Sequence, residues 1–81
     1  MFYTKEALKD RERVLERGWG EKIRSIEHAL RENPYAPPRE KLVGEFKGAY
    51  SKRINRQHRV VYQILEEDRA VKVVNAWSSY E

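Results

Sequence analysis

Pro34, Pro37 and Pro38 are the strongest constraint on how this chain folds. Each lacks a backbone donor, fixes its own φ and pushes the preceding residue out of the α region, so neither a helix nor a central strand runs through them. They mark an extended connection, and the residues on its two sides follow different periods. Before it, Ala7, Leu8, Val14 and Leu15 recur at seven-residue intervals among charged neighbours, the pattern of one buried helical face over 4–17. Thr4 is placed to cap that helix, Glu6 complements its first turn, and Gly18 follows its last. Gly20 then opens a second helix in which Ile23, Ile26 and Leu30 form a stripe, ending near Asn33 ahead of Pro34.

After Pro38 the pattern shortens to β-like runs at 42–46, 49–55, 59–65 and 70–77. Turn chemistry at Gly48, at 55–58 and at 66–69 makes neighbouring strands antiparallel. The expected architecture is α+β: an N-terminal helical hairpin packed on one face of a four-stranded antiparallel sheet, with 1–3 as a candidate short edge strand. Alternation puts Arg59, Val61 and Gln63 on one face of their strand and Val60, Tyr62 and Ile64 on the other. The same reasoning brings Arg53 and Arg59 to a shared open face across a hairpin.

With 81 residues the chain is expected to make one domain, spanning 1–81, with a stability margin of several kcal/mol. It has no cysteine, which removes disulfides, thiolate metal sites and thiol nucleophiles. No apolar run approaches the ~20 residues needed to cross a bilayer, and the N-terminus lacks the basic-then-apolar order of a signal peptide, so a cytoplasmic protein without a membrane partner is expected. Seventeen Lys plus Arg against thirteen Asp plus Glu give a net charge of +4, which suits a polyanionic partner. Lys47, Lys52, Arg53, Arg56 and Arg59 fall in one hairpin-like segment without an acidic residue. On charge alone, a solvated edge that resists aggregation explains the segment as well as nucleic-acid binding does.

No metal-ligand spacing, phosphate-binding glycine loop or serine-protease arrangement is present, so no cofactor is expected. His28 lies off the apolar stripe and reads as an exposed helical residue; His58, at a turn, suits a structural hydrogen bond as well as catalysis. Tyr50, Tyr62 and Trp77 read as packed strand aromatics rather than base-stacking platforms.

The segment 48–62 resembles the signature stretch of the YoeB/Txe toxins, in which Ser-Arg-Arg-Ile is followed four residues later by His-Arg-Leu-Val-Tyr. The corresponding residues are Ser51-Lys52-Arg53-Ile54 and His58-Arg59-Val60-Val61-Tyr62. Upstream, Glu40-Lys41-Leu42 resembles that family's Glu-Pro-Leu, and a helical first half ending in Asn33-Pro34-Tyr35 fits its layout. These proteins belong to the wider RelE/ParE toxin superfamily, which has two helices against an antiparallel sheet.

The resemblance implies a ribosome-dependent, metal-independent endoribonuclease that cuts messenger RNA in the A site and is silenced by a cognate antitoxin; a homodimer is also compatible with it. Carried over residue by residue, Glu40 is the general base, Arg59 the phosphate stabiliser and Tyr80 a group that stacks on a base or orients the phosphate. Lys47, Lys52, Arg53 and Arg56 are the expected RNA or phosphate contacts. The ending departs from the family: its usual His-Tyr appears as Ser79-Tyr80-Glu81, which removes the expected general acid. Reduced activity, a proton from Tyr80 or His58, or ribosome binding without efficient cutting would each follow. Two readings outside the nuclease class stay open: a ParE-like toxin that binds DNA gyrase, and a non-catalytic RNA-binding domain.

Overall fold

The computed structural model describes residues 1–42 and 48–79, the last two by their backbone alone. Strand β1 (Phe2–Tyr3) is followed by helices α1 (Lys5–Glu16) and α2 (Gly20–Glu32), then by β2 (Glu40–Lys41), β3 (Tyr50–Arg53), β4 (His58–Leu65) and β5 (Ala70–Ser79). Among the described residues the strands form one five-stranded sheet in the order β1-β5-β4-β3-β2. The pairs from β2 to β5 are antiparallel, as expected. The short N-terminal segment is indeed an edge strand, and it runs parallel to β5.

Local chemistry sets the helix ends. Thr4 is extended and its Oγ1 accepts the Ala7 N–H at 3.1 Å, satisfying one of the free donors of the first turn. At the other end Gly18 takes φ +82°, which only glycine adopts without strain. Its N–H donates to the Leu15 carbonyl (3.0 Å) and that of Trp19 to the Val14 carbonyl (3.1 Å), a Schellman closure that reverses the chain into α2. Asn33 ends α2 in an extended conformation ahead of Pro34.

The helical face contributes Ala7, Val14, Ile23, Ile26 and Leu30 to a core shared with Val60, Tyr62, Val71 and Val73 of the sheet. Leu8, expected on that face with Ala7, is 50% exposed. The 3.6-residue period places it beyond the stripe that meets the sheet. The opposite sheet face has a smaller apolar floor of Leu42, Ala49 and Val61, with Val74 packed against it. The strand expected at 42–46 lies largely outside the described residues.

A polar network ties the N-terminal elements together. Glu27 of α2 is 5% exposed; its carboxylate accepts from Arg11 of α1, at 2.7 Å from Nε and 3.2 Å from Nη2, and from the Tyr3 hydroxyl of β1. Burial pushes the Glu27 carboxyl up, but the hydrogen bonds from Arg11 and Tyr3 and the guanidinium charge outweigh it and hold its pKa below the ordinary value.

Candidate active site

Three adjacent strands bring the expected catalytic side chains to one face. Glu40 of β2 is opposite Ser51 of β3, Arg53 of β3 is opposite Arg59 of β4, and Arg59 is opposite the Ser78 backbone of β5. Directly opposed residues point to the same side of a sheet, and so do residues two apart, so Glu40, Ser51, Arg53 and Arg59 share the face away from the helices. The Arg53–Arg59 register expected from alternation is the one observed.

Arg53 Nε is 3.0 Å from Glu40 Oε1, and the two side chains are 52% and 47% exposed. Such a pair is worth roughly 0–1 kcal/mol to stability, because water competes for both partners. Its importance lies in geometry: a carboxylate is held beside one guanidinium, with a second arginine across the strand pair. Between α2 and the β2–β3 edge lies a cleft of about 430 Å³, whose walls include Lys22, Ile26, Pro38, Glu40 and Arg53. That volume is ample for a nucleobase or an extended peptide segment.

The turn before Arg59 is tightly specified. Asn55 Oδ1 accepts the N–H groups of Gln57 and His58, both at 2.8 Å, while the His58 carbonyl accepts from Ile54 at 2.9 Å. Arg56 is exposed at the turn's tip. The His58 ring lies 4.4 Å from the Trp77 ring and 5.1 Å from that of Trp19, and the two indoles are themselves stacked at 5.7 Å. This cluster belongs to the helix side of the sheet, so the imidazole faces away from Arg59, as strand alternation implies.

Lys52 does not join the cations expected to meet RNA. Alternation turns it toward the helices, where it is 7% exposed and its Nζ donates to the Ala36 and Pro38 carbonyls, each at 3.0 Å. Burial, and secondarily the charge of Arg39, lowers its pKa. The lysine pins the proline-rich connection to the sheet and in doing so sets where Glu40 begins. Lys47 and Tyr80 lie outside the described residues.

Two features were not legible beforehand. Arg39 places its guanidinium 4.2 Å from the Tyr50 ring centre, beside the connection that Lys52 holds. Trp19 and Trp77, far apart in sequence, meet beside His58; no spacing rule brings an interhelical turn to the end of a last strand. His28 is exposed on α2, as expected. Among the described residues no group of His, Asp and Glu is arranged to hold a metal ion, and no helix is long and apolar enough to cross a membrane.

A family model described as the ParE toxin of the type II toxin–antitoxin system parDE matches residues 1–79. Among solved structures, the YoeB/ParE toxin from Agrobacterium tumefaciens superposes with a TM-score of 0.84 at 25% identity, covering 98% of this chain and 96% of that one. A YoeB dimer from Staphylococcus aureus gives 0.79 at 25% identity, with 98% and 94% covered. The heterotetrameric YoeB–YefM toxin–antitoxin complex from Staphylococcus aureus contains a chain that gives 0.78 at 24% identity, with 99% and 97% covered; at that identity the likeness is one of fold. No curated protein sequence matches the chain. A two-helix layer on a five-stranded sheet, a family match over nearly the whole length and superposition on YoeB toxins lead to one assignment: the chain belongs to the ParE toxin family of type II toxin–antitoxin systems, a YoeB-type toxin within the RelE/ParE superfamily.

Proposed function

We propose that this toxin is a ribosome-dependent endoribonuclease that cleaves messenger RNA in the A site. The observation that carries the reading is the Glu40–Arg53 pair at 3.0 Å with Arg59 directly across from Arg53, all on the open face. A carboxylate flanked by guanidiniums is the equipment for in-line attack by a 2′-hydroxyl. Glu40 takes the 2′-hydroxyl proton, the freed oxygen bonds to phosphorus, and the bond to the 5′-oxygen breaks, leaving a 2′,3′-cyclic phosphate. Arg59, with Arg53 as second donor, stabilises the charge that builds on the non-bridging oxygens. No metal is required for these steps.

The departing 5′-oxygen still needs a proton. His58 is held on the wrong side of the sheet among tryptophans, and serine is a poor acid at neutral pH. Tyr80, two residues beyond Ser78, is assigned to orient the phosphate or stack on a base; the departing 5′-oxygen takes its proton from water, and Glu40 returns the proton it accepted to solvent, so the reaction is slow for want of a dedicated acid. Arg56 and Lys47 are assigned to the RNA backbone. The partners are the ribosome, its message and a cognate antitoxin whose acidic segment covers the positive face, as suits a chain of net charge +4. A homodimer is part of the proposal, in keeping with the YoeB dimer, and the site of action is the cytoplasm.

The match to the ParE family and the serine at 79 favour one second reading, a toxin that binds DNA gyrase without cutting RNA. Expression without antitoxin separates the two. Growth arrest with new message 5′ ends inside translated codons supports the nuclease. Arrest with intact messages and inhibited supercoiling supports the gyrase binder.

A further inference from the structure

We propose that the cleft between α2 and the β2–β3 edge holds one nucleotide of a single-stranded RNA, its phosphate on Arg39 and Lys22 and its base against Ile26, Pro37 and Pro38. The inference rests on the RNA-cleaving part of the reading above, not on where cleavage takes place, and adds a nucleotide site beside Glu40.

The guanidinium carbon of Arg39 is 4.2 Å from the Tyr50 ring centre and 5.8 Å from that of Tyr35. The residue is half-buried, its Nη1 is shielded from solvent, and among the described residues no acceptor reaches that nitrogen. Nor does Arg39 enter an ion pair among them. Tyrosine rings balance part of the charge through the face of the guanidinium, but its N–H groups lie in its plane and gain no acceptor from them. Burying a cation in that condition costs free energy, which an oxyanion at the guanidinium edge offsets through paired N–H···O bonds.

The cleft that Arg39 lines, about 430 Å³, is positive: its walls carry Lys22, Arg39, Lys52 and Arg53 against the carboxylate of Glu40. Arg53 is paired with Glu40, and Lys52 is engaged by the Ala36 and Pro38 carbonyls, so Lys22 and Arg39 carry the surplus. Between them the wall is apolar, made by Ile26 and Ala29 of α2 and by Pro37 and Pro38.

That wall suits a nucleotide better than a peptide. An extended peptide laid along a strand edge needs backbone donors and acceptors, but Pro37 and Pro38 have no N–H, and the Ala36 and Pro38 carbonyls already accept from Lys52. A nucleobase needs no such ladder: its face packs on the apolar wall while its phosphate takes the guanidinium edge. Position identifies the nucleotide. Arg39 immediately precedes Glu40, and Glu40 and Arg53 line the same cleft, so the bound nucleotide is a neighbour in the RNA of the one whose 2′-hydroxyl meets Glu40.

The test is binding of the full chain to a short single-stranded RNA, without ribosomes, across a salt series. Each phosphate contact on a single strand contributes about 0.7 to the slope of log affinity against log salt. Arg39→Gln should therefore lose about 0.7 from the slope and bind about 4-fold more weakly at about 0.15 M salt, and Lys22→Gln/Arg39→Gln about 1.4 and about 14-fold, while Arg39→Lys should keep most of the slope. Ser25→Leu, at an exposed position on the cleft wall, should crowd out the base and weaken binding about 5-fold or more with the slope held. Thermal unfolding checks each fold. An unchanged slope in the double glutamine variant, or full affinity in Ser25→Leu, overturns the inference, as does a wild-type chain that binds a glutamate-rich peptide through Arg39 and no RNA. None of these results touches the Glu40 reading, which stands or falls on message cleavage by the wild-type toxin.

Discussion

Replacing Arg11 with leucine should be among the most damaging single changes in the chain, although Arg11 lies far from the open face. Its guanidinium makes two of the three hydrogen bonds that hold the Glu27 carboxylate, which is 6% exposed in its side chain against 29% for Arg11. Removing one partner of a buried pair strands the other charge, a loss of about 3–5 kcal/mol when both are fully buried. The partial exposure of Arg11 and the surviving Tyr3 contact reduce this to about 2–4 kcal/mol. A domain of this size has a margin of roughly 4–12 kcal/mol, and at about 4–8 °C per kcal/mol the melting temperature should fall by about 8–30 °C.

The pH dependence has a definite sign. In the native protein the Glu27 pKa is depressed, so its contribution is complete above the unfolded value near ~4.3 and is lost as pH falls through the folded one. In Arg11→Leu, burial is no longer outweighed, the carboxyl pKa rises, and protonation relieves the stranded charge. The gap between variant and native should be widest at neutral pH and narrow below about pH 5. Replacing the set together, Tyr3→Phe with Arg11→Met and Glu27→Leu, should recover most of the loss. Urea unfolding at pH 7 and pH 4.5 measures each quantity. A loss under about 1 kcal/mol at pH 7, or one unchanged at pH 4.5, refutes the buried-charge reasoning.

Other residues make separable claims. Lys52→Met leaves two carbonyls without their donor and should cost about 1–2 kcal/mol in urea unfolding, yet leave the salt dependence of RNA binding unchanged; a shallower salt slope would return Lys52 to the RNA surface. His58→Ala should destabilise by about 1–2 kcal/mol through the emptied aromatic cluster, and His58→Phe should restore both stability and cleavage. A stable but inactive phenylalanine variant would make the imidazole a chemical participant. Ser79→His should raise the single-turnover cleavage rate toward the 10²–10⁴-fold range of general acid catalysis, and an unchanged rate would dispose of the missing-acid explanation.

The parts of the fold legible in the sequence are those fixed by local chemistry. The proline cluster separated helical from strand periods, Thr4 and Gly18 marked the ends of α1, and strand alternation placed Arg53 across from Arg59. What escaped depends on tertiary partners. Glu27 reads as an ordinary helical carboxylate until Arg11 and Tyr3 converge on it. Lys52 reads as one cation among several in a basic hairpin. Its burial follows from the return of the connection at Ala36 and Pro38 over β3, which no charge pattern records. Leu8 satisfied a seven-residue count but not the narrower face that α1 buries. Within the site, Glu40 and Arg59 were nameable only through the family motif, because an exposed glutamate near arginines is by default a surface ion pair.

The measurement that bears most directly on the central claim is cleavage of a defined message by the purified toxin, with and without programmed 70S ribosomes, alongside Glu40→Gln and Arg59→Ala. The expected result is cutting within a codon only when ribosomes are present, falling by about 10²-fold or more in each variant, with both variants folded. A message left intact by wild-type toxin bound to programmed ribosomes, or cuts that persist at full rate in both variants, would contradict the account.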